Sequence, residues 1–90
     1  MATKNIIQKI KKKIPKGKKV YLDGHYKEYL WWYVAKEDGF VWIEFETSAD
    51  STGRMAQHAE DFDDELLESV YASMTNTTVP ETFPVGATQY

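Results

Sequence analysis

Residues 29–46 read YLWWYVAKEDGFVWIEFE, and the two faces of this stretch decide the fold. It contains all three tryptophans of the chain, and apart from a turn segment and two glutamates almost every position is apolar. We expect two strands here, at about 29–35 and 40–47. A half-buried strand alternates apolar and polar residues, because successive side chains point to opposite faces. These strands would be aromatic on both faces, so the sequence predicts a second aromatic face that something must cover.

The register of the two strands depends on the turn between them, since a shift by one residue exchanges the faces. A type I turn with a bulge at Gly39 would place Trp31 and Tyr33 in the core. A loop with an even number of residues and no bulge, called the even loop below, would instead place Trp32 and Val34 there. We favour the even loop, because it gathers the aliphatic residues in the core and leaves the amphipathic tyrosines outside. The outer aromatic group that it predicts consists of Tyr29, Trp31, Tyr33, Phe40 and Trp42.

Three occupants could cover this outer aromatic group: apolar residues of the C-terminal segment, a second copy of the chain in a homodimer, or a different partner. Large exposed apolar patches are uncommon on monomers, and tyrosine and tryptophan are frequent interface anchors. Glu44 and Glu46 fall on the same side of the second strand as Phe40 and Trp42. We therefore expect that end of the face to be in contact with water.

The segment before these strands is predicted to contain a helix and a short strand. Between about Lys4 and Ile14, isoleucines recur at helical spacing, and the PKG segment at 15–17 ends the helix. KKVYL, residues 18–22, then has the composition of a first strand.

A second helix is predicted from about Arg54 to Met74, where apolar residues again recur at helical spacing. Asp63 would fall on its apolar side. A break near Asp61, with a new helix start, would relieve this conflict.

This order of elements predicts a small α+β domain over residues 1–75, with a helix, a three-stranded antiparallel sheet and a helix. Ninety residues are enough for a single domain with one core. Residues 76–90 contain two prolines and neither a helical nor a strand period, so we expect an irregular C-terminal tail.

Charge divides the chain in two. Residues 1–22 carry eight lysines and no acid, whereas residues 23–90 carry all fourteen acids against two lysines and one arginine. Such asymmetry is typical of contact with nucleic acid or membranes, or of two halves that neutralise each other. The sequence shows no cysteine, no secretory signal and no apolar run of bilayer length. We expect a cytoplasmic protein without a membrane partner.

The EDFDDELLES segment, residues 60–69, places six carboxylates within nine residues. Rows of carboxylates on a helix can imitate nucleic-acid phosphates and occupy a basic groove of a protein, with an affinity that depends on salt. The alternative is a solvated helix face, or one that pairs with the lysines. The carboxylates selected as partner-binding, together with the outer aromatic group, are Glu60, Asp61, Asp64, Glu65 and Glu68.

The N-terminal lysines form an alternative site for a nucleic acid, in which the aromatic sheet would stack on bases. Lysine supplies charge without reading bases, however, and two glutamates lie on the stacking face. A solubilising helix surface is the simpler interpretation. The residues of the alternative site are Lys9, Lys12, Lys13, Lys16, Lys18 and Lys19.

Signatures of an enzyme are lacking. The chain has no nucleophile elbow, phosphate-binding loop or cysteine nucleophile. His58 and Asp61 stand three residues apart with Glu65 beyond, but ligands on one helix face rarely form a metal site without a converging loop. We expect a non-enzymatic protein that uses no cofactor or metal.

The order of elements and the charge pattern resemble those of small bacteriophage-encoded inhibitors, including anti-CRISPR proteins that mimic DNA. The resemblance covers the general plan of the chain and rests on no motif. It implies a small acidic protein that binds a protein of the host. Two further hypotheses are a nucleic-acid-binding module that uses the lysine helix, and a structural or assembly subunit of a phage particle or homo-oligomer.

Overall fold

A computed structural model describes residues 5–48, 50–80 and 88–89, and of residues 50–52, 88 and 89 it describes the backbone. The helices are α1 (Asn5–Lys12) and α2 (Asp64–Ser73), and a 3-10 turn (Ala59–Asp61) precedes α2. The strands, in chain order, are β1 (Lys18–Tyr26), β2 (Tyr29–Glu37), β3 (Phe40–Thr47), β4 (Asp50–His58), β5 (Met74–Pro80) and β6 (Thr88–Gln89).

The strands form one sheet with the order β5-β1-β2-β3-β4-β6. Neighbours among the first five are antiparallel. The two residues of β6 pair in parallel with Met55 and Ala56 of β4. The structure is a small α+β domain, but the predicted three-stranded sheet is wrong, because it omits β4 and β5. Of the segment predicted to be an irregular tail, residues 76–80 belong to β5, and residues 81–87 and 90 lie outside the described residues.

The two omitted strands differ in local sequence. Residues 54–58 are rich in good helix formers, yet they pair with β3, which shows that pairing and burial outweigh intrinsic preference here. Residues 75–79 contain three threonines and a valine, which favour strands. Pro80 is tolerated because it ends a strand at the edge of the sheet.

The β2–β3 hairpin has a two-residue turn. Glu37 pairs with Phe40, which leaves Asp38 and Gly39 at the corner with φ angles of 54° and 83°. Positive φ at both central residues defines a type I′ turn, and glycine adopts it without steric cost from a side chain. The predicted even loop is therefore confirmed.

A β-bulge at Trp32 exchanges the faces within β2. Trp31 pairs with Phe45 and Tyr33 pairs with Glu44, so Trp32 has no residue opposite it. Because a bulge adds one residue to one strand, it inverts the alternation beyond that point. Trp31 thus lies on the face that the helices cover and Trp32 on the other face, the reverse of what the even loop alone predicts.

The core lies between the helices and the inner face of the sheet, and Trp31 is at its centre. Only 1% of Trp31 is exposed, and its indole Nε1 donates a hydrogen bond to Ser69 Oγ of α2 at 2.9 Å. Its ring stacks on Tyr29 at a centroid distance of 5.3 Å and meets Phe45 and Phe62 edge-on. The predicted outer positions of Tyr29 and Trp31 are therefore wrong.

The two helices seal this core with aliphatic residues. The predicted isoleucine stripe is buried, with Ile6, Ile7 and Ile10 in α1 and Ile14 just after its end. Helix α2 contributes the buried residues Leu67 and Val70. It begins at Asp64 with Asp63 as N-cap, so the predicted helix from Arg54 is wrong before Asp64. The chain does break near Asp61, where the 3-10 turn ends.

Candidate functional site

The face of the sheet opposite the helices is the first candidate surface, and we call it the outer face. Of the predicted outer aromatic group it carries Tyr33, Phe40 and Trp42, and the bulge adds Trp32. Cross-strand pairing then places charged residues between these rings. The charged and histidine side chains considered below are Lys19, Glu44, Glu46, Arg54 and His58.

Glu44 lies at the centre of the outer face and is fully buried. Its Oε2 accepts a hydrogen bond from Lys19 Nζ at 3.0 Å, and Lys19 is itself only 6% exposed. Arg54 Nη1 lies 3.6 Å from Glu44 Oε1, an ion pair too long to be a hydrogen bond. A buried carboxylate is costly unless cations compensate it, and these two side chains do so. The expectation that Glu44 is in contact with water is wrong.

The two cations also stack on aromatic rings. Lys19 Nζ lies 4.3 Å from the ring centroid of Tyr33, and the Arg54 guanidinium lies 4.6 Å from that of Trp32. The Trp32 indole Nε1 donates a hydrogen bond of 2.7 Å to Glu46 Oε1 on the neighbouring strand. Cation–π contacts of this kind are attractive and hold the side chains in place. The outer face is thus covered in part by its own charged residues.

One end of the outer face carries an aromatic cluster with an exposed edge. Phe40 and His58 stack with centroids 4.9 Å apart and planes inclined by 7°, and Trp42 meets His58 at 4.0 Å. Phe40 is 43% exposed, and at the opposite end of the face Leu30 is 41% exposed. Among the described residues, Phe40 and Leu30 are the large apolar side chains that are exposed, and the aromatic rings between them are half-buried.

The second candidate surface is the acidic segment, residues 60–68, on the helix side of the sheet. Its carboxylate residues are all exposed, and they are Glu60, Asp61, Asp63, Asp64, Glu65 and Glu68. Phe62 and Leu67 anchor the segment from below, with exposures of 3% and 0%. The hydroxyl of Tyr26 donates a hydrogen bond to Glu65 Oε2 at 3.4 Å. The structure therefore presents the predicted carboxylates together on a fixed support.

The lysines of the alternative site are divided by the fold. Five of them are exposed: Lys9, Lys12, Lys13, Lys16 and Lys18. The sixth, Lys19, is buried against Glu44 on the outer face and is not available to a nucleic acid. Lys13 Nζ lies 4.9 Å from the ring centroid of Tyr71, and Lys11 donates a hydrogen bond to the carbonyl of Gly39. Part of the positive charge is therefore used within the molecule.

Sequence reasoning missed the Lys19–Glu44–Arg54 cluster and Trp32. A signal for the cluster was present, because Glu44 interrupts an apolar strand and Arg54 is the single arginine of the chain. A carboxylate in such a position needs a cation nearby. The order of the strands, which brings Lys19 and Arg54 to it, could not be read from the local pattern.

Within residues 5–48 and 50–80, no group of three or more His, Asp or Glu side chains is placed to hold a metal ion. None of the described helices is long and apolar enough to cross a bilayer. No protein-family model matches the sequence, and comparison with curated proteins and with solved structures gives no significant match. Arguments about function therefore depend on the surfaces of this chain.

Proposed function

We propose that this chain is a non-enzymatic, cytoplasmic binding protein that engages the basic surface of a partner protein through its acidic segment. The observation that carries the proposal is the exposure of all six carboxylates of residues 60–68 above buried anchors such as Phe62. Fixed like charges generate a local field that attracts a basic surface and raises the association rate. Nucleic acids, being anionic, would be repelled by the same segment.

The aromatic end of the outer face gives this surface an apolar neighbour. From His58, which stacks on Phe40, the chain passes through the buried Ala59 directly to Glu60 and Asp61. A partner that reaches around this edge would contact both carboxylates and aromatic rings. Truncation of an aromatic anchor in an interface typically costs about 2 kcal/mol or more of binding free energy.

In its most specific form, the proposal is that the acidic segment occupies a groove that normally holds a nucleic acid. The spacing of carboxylates along a short helix supports this form, as does the resemblance in charge pattern to phage-encoded inhibitors that mimic DNA. Binding to a basic protein surface and binding in a nucleic-acid groove both depend on many charges. In either case the affinity should fall as the salt concentration rises.

The test is affinity capture from an extract of the source cells, at about 50 mM and 200 mM salt. The immobilised wild-type chain is compared with an acid-neutral variant that combines Glu60→Gln, Asp61→Asn, Asp64→Asn, Glu65→Gln and Glu68→Gln. We expect a partner that wild type retains at the lower salt concentration and that the variant loses. Displacement of labelled DNA from the captured partner would establish the mimic form.

A control variant removes three exposed acids elsewhere, through Asp23→Asn, Glu37→Gln and Asp38→Asn. It should retain the partner as wild type does. Equal capture by wild type and the acid-neutral variant, or equal loss with both variants, would show that residues 60–68 are not the binding surface.

A nucleic-acid-binding module is the second candidate function, favoured by the five exposed lysines and by a groove beside them. The groove has a volume of about 340 Å³ and its walls include Lys11, Lys16 and Lys36. Glu37 and Asp38 also line it and oppose an anionic ligand. This candidate predicts an affinity for DNA that falls steeply with salt and is lost when the lysines are replaced.

A further inference from the structure

A cavity of about 300 Å³ lies where the β1–β2 and β3–β4 turns meet, and we call it the turn pocket. The backbone N–H of Ser48 donates a hydrogen bond of 2.9 Å to the carbonyl of Glu28, which ties the two turns together. Tyr29 and Leu30 supply apolar walls, and Leu30 is 41% exposed. The volume is at the lower end of the range of about 300–1,000 Å³ that ligand sites occupy.

Two carboxylates, Glu28 and Glu46, line the turn pocket. The Trp32 indole holds Glu46 through Oε1 at 2.7 Å, which leaves Oε2 as an acceptor for a ligand. Such a hydrogen bond fixes the direction of the carboxylate before a ligand arrives, which lowers the entropic cost of binding. Glu46 is therefore a pre-oriented anionic group at the wall of the turn pocket.

The lining of the turn pocket also contains two basic residues. Lys27 also lines the cavity, but its Nζ lies 5.3 Å from the ring centroid of Tyr26, a contact that directs the ammonium toward that ring. His25 is the other basic residue of the lining. The lining has two carboxylates against one lysine, a formal excess of negative charge that favours a ligand with a cationic head.

We propose that the turn pocket binds an arginine side chain of the protein partner, with the stem along Leu30 and the guanidinium on Glu46. Arginine suits the site because its planar guanidinium can offer two parallel N–H groups to a carboxylate and its stem packs on apolar walls. The inference rests on the proposed function in one respect, namely that the arginine belongs to a protein partner. The chemistry of the pocket is tested without that partner.

The test is an NMR titration of the ¹⁵N-labelled chain with N-acetyl-arginine methylamide. We expect saturable shifts of the Trp32 indole N–H and of the amides of Leu30, Thr47 and Ser48. The neutral isostere N-acetyl-citrulline methylamide should bind about tenfold more weakly, since it lacks the charge that Glu46 recognises. N-acetyl-lysine methylamide should also bind more weakly, because an ammonium does not match a carboxylate through two parallel bonds.

Two variants locate the site. Glu46→Gln keeps an acceptor for the Trp32 indole and removes the charge, so the affinity for the arginine probe should fall about tenfold. Glu37→Gln removes an exposed acid from the opposite end of the sheet and should leave the affinity unchanged. A circular dichroism spectrum and melting temperature like those of wild type would show that Glu46→Gln is folded.

Equal binding of the arginine and citrulline probes, no saturable shift, or an affinity unchanged by Glu46→Gln would overturn the inference. Tighter binding of the lysine probe would overturn the assignment to arginine. None of these results bears on the acidic segment, because the capture experiment changes only residues 60–68 and its control acids. The two proposals can therefore fail separately.

Discussion

The two faces of the sheet bury aromatic residues by different means, as the neighbours Trp31 and Trp32 show. Trp31 is sealed by hydrophobic packing against Tyr29, Phe45 and Phe62, with a single hydrogen bond to α2. Trp32 is half-buried beneath the guanidinium of Arg54. The second aromatic face is therefore covered in part by its own cations, which explains how a strand can be aromatic on both sides.

The inner face should be the more sensitive to truncation. Trp31→Ala removes a fully packed side chain and leaves a cavity in the core, so we expect the free energy of unfolding to fall by about 3–5 kcal/mol. Denaturant unfolding followed by circular dichroism measures the loss. The matched variant Trp32→Ala loses a cation–π contact and one hydrogen bond near the surface, and should cost about 1 kcal/mol.

The difference between these two variants tests the bulge as well as the packing. If Trp32→Ala destabilised the protein as much as Trp31→Ala, the assignment of the two residues to opposite faces would be wrong. Without the bulge, Trp32 and Val34 would share one face, and Trp32 would take the place of Trp31 in the core.

The outer face should respond more to the loss of a charge than to the loss of a ring. Lys19→Met leaves Glu44 buried with Arg54 alone, at a distance too long for a hydrogen bond. Breaking a buried pair typically costs about 3–5 kcal/mol, and we expect about 3 kcal/mol because Arg54 remains. The same unfolding measurement applies.

The double variant Lys19→Met with Glu44→Leu distinguishes two causes of the lost stability. One is the loss of the Lys19–Glu44 attraction, and the other is the cost of a buried Glu44 carboxylate without its lysine. Removal of both partners should restore stability to within about 1 kcal/mol of wild type, because no buried carboxylate is left uncompensated. A double variant as unstable as Lys19→Met alone would mean that Glu44 is not the cause of the loss.

The sequence was informative where a pattern is local. The isoleucine spacing predicted the buried face of α1, and the charge pattern predicted which side of residues 60–68 meets water. The even loop at Asp38 and Gly39 was also predictable, because aspartate and glycine favour the required turn. Each of these depends on residues a few positions apart.

Features that depend on distant pairing were not predictable in the same way. The bulge at Trp32 adds a residue without any glycine or proline to mark it, so an uninterrupted alternation gave the wrong faces. β4 and β5 form because β3 and β1 offer edges to pair with, and the local preference of residues 54–58 is helical. The cluster around Glu44 follows from that strand order and was missed with it.

The central functional claim is that the exposed carboxylates, and not the exposed lysines, form the binding surface. A titration of labelled single- and double-stranded DNA with the pure protein, at about 50 mM and 200 mM salt, tests it most directly. A variant with Lys9, Lys12, Lys13, Lys16 and Lys18 replaced by Gln serves as the control.

The claim predicts no measurable binding of either DNA at either salt concentration, by wild type or by the lysine variant, because the acidic segment repels phosphates. Tight binding at the lower salt concentration would contradict it if the affinity fell by orders of magnitude at the higher one and vanished in the lysine variant. The lysines of residues 9–18 would then be the functional surface.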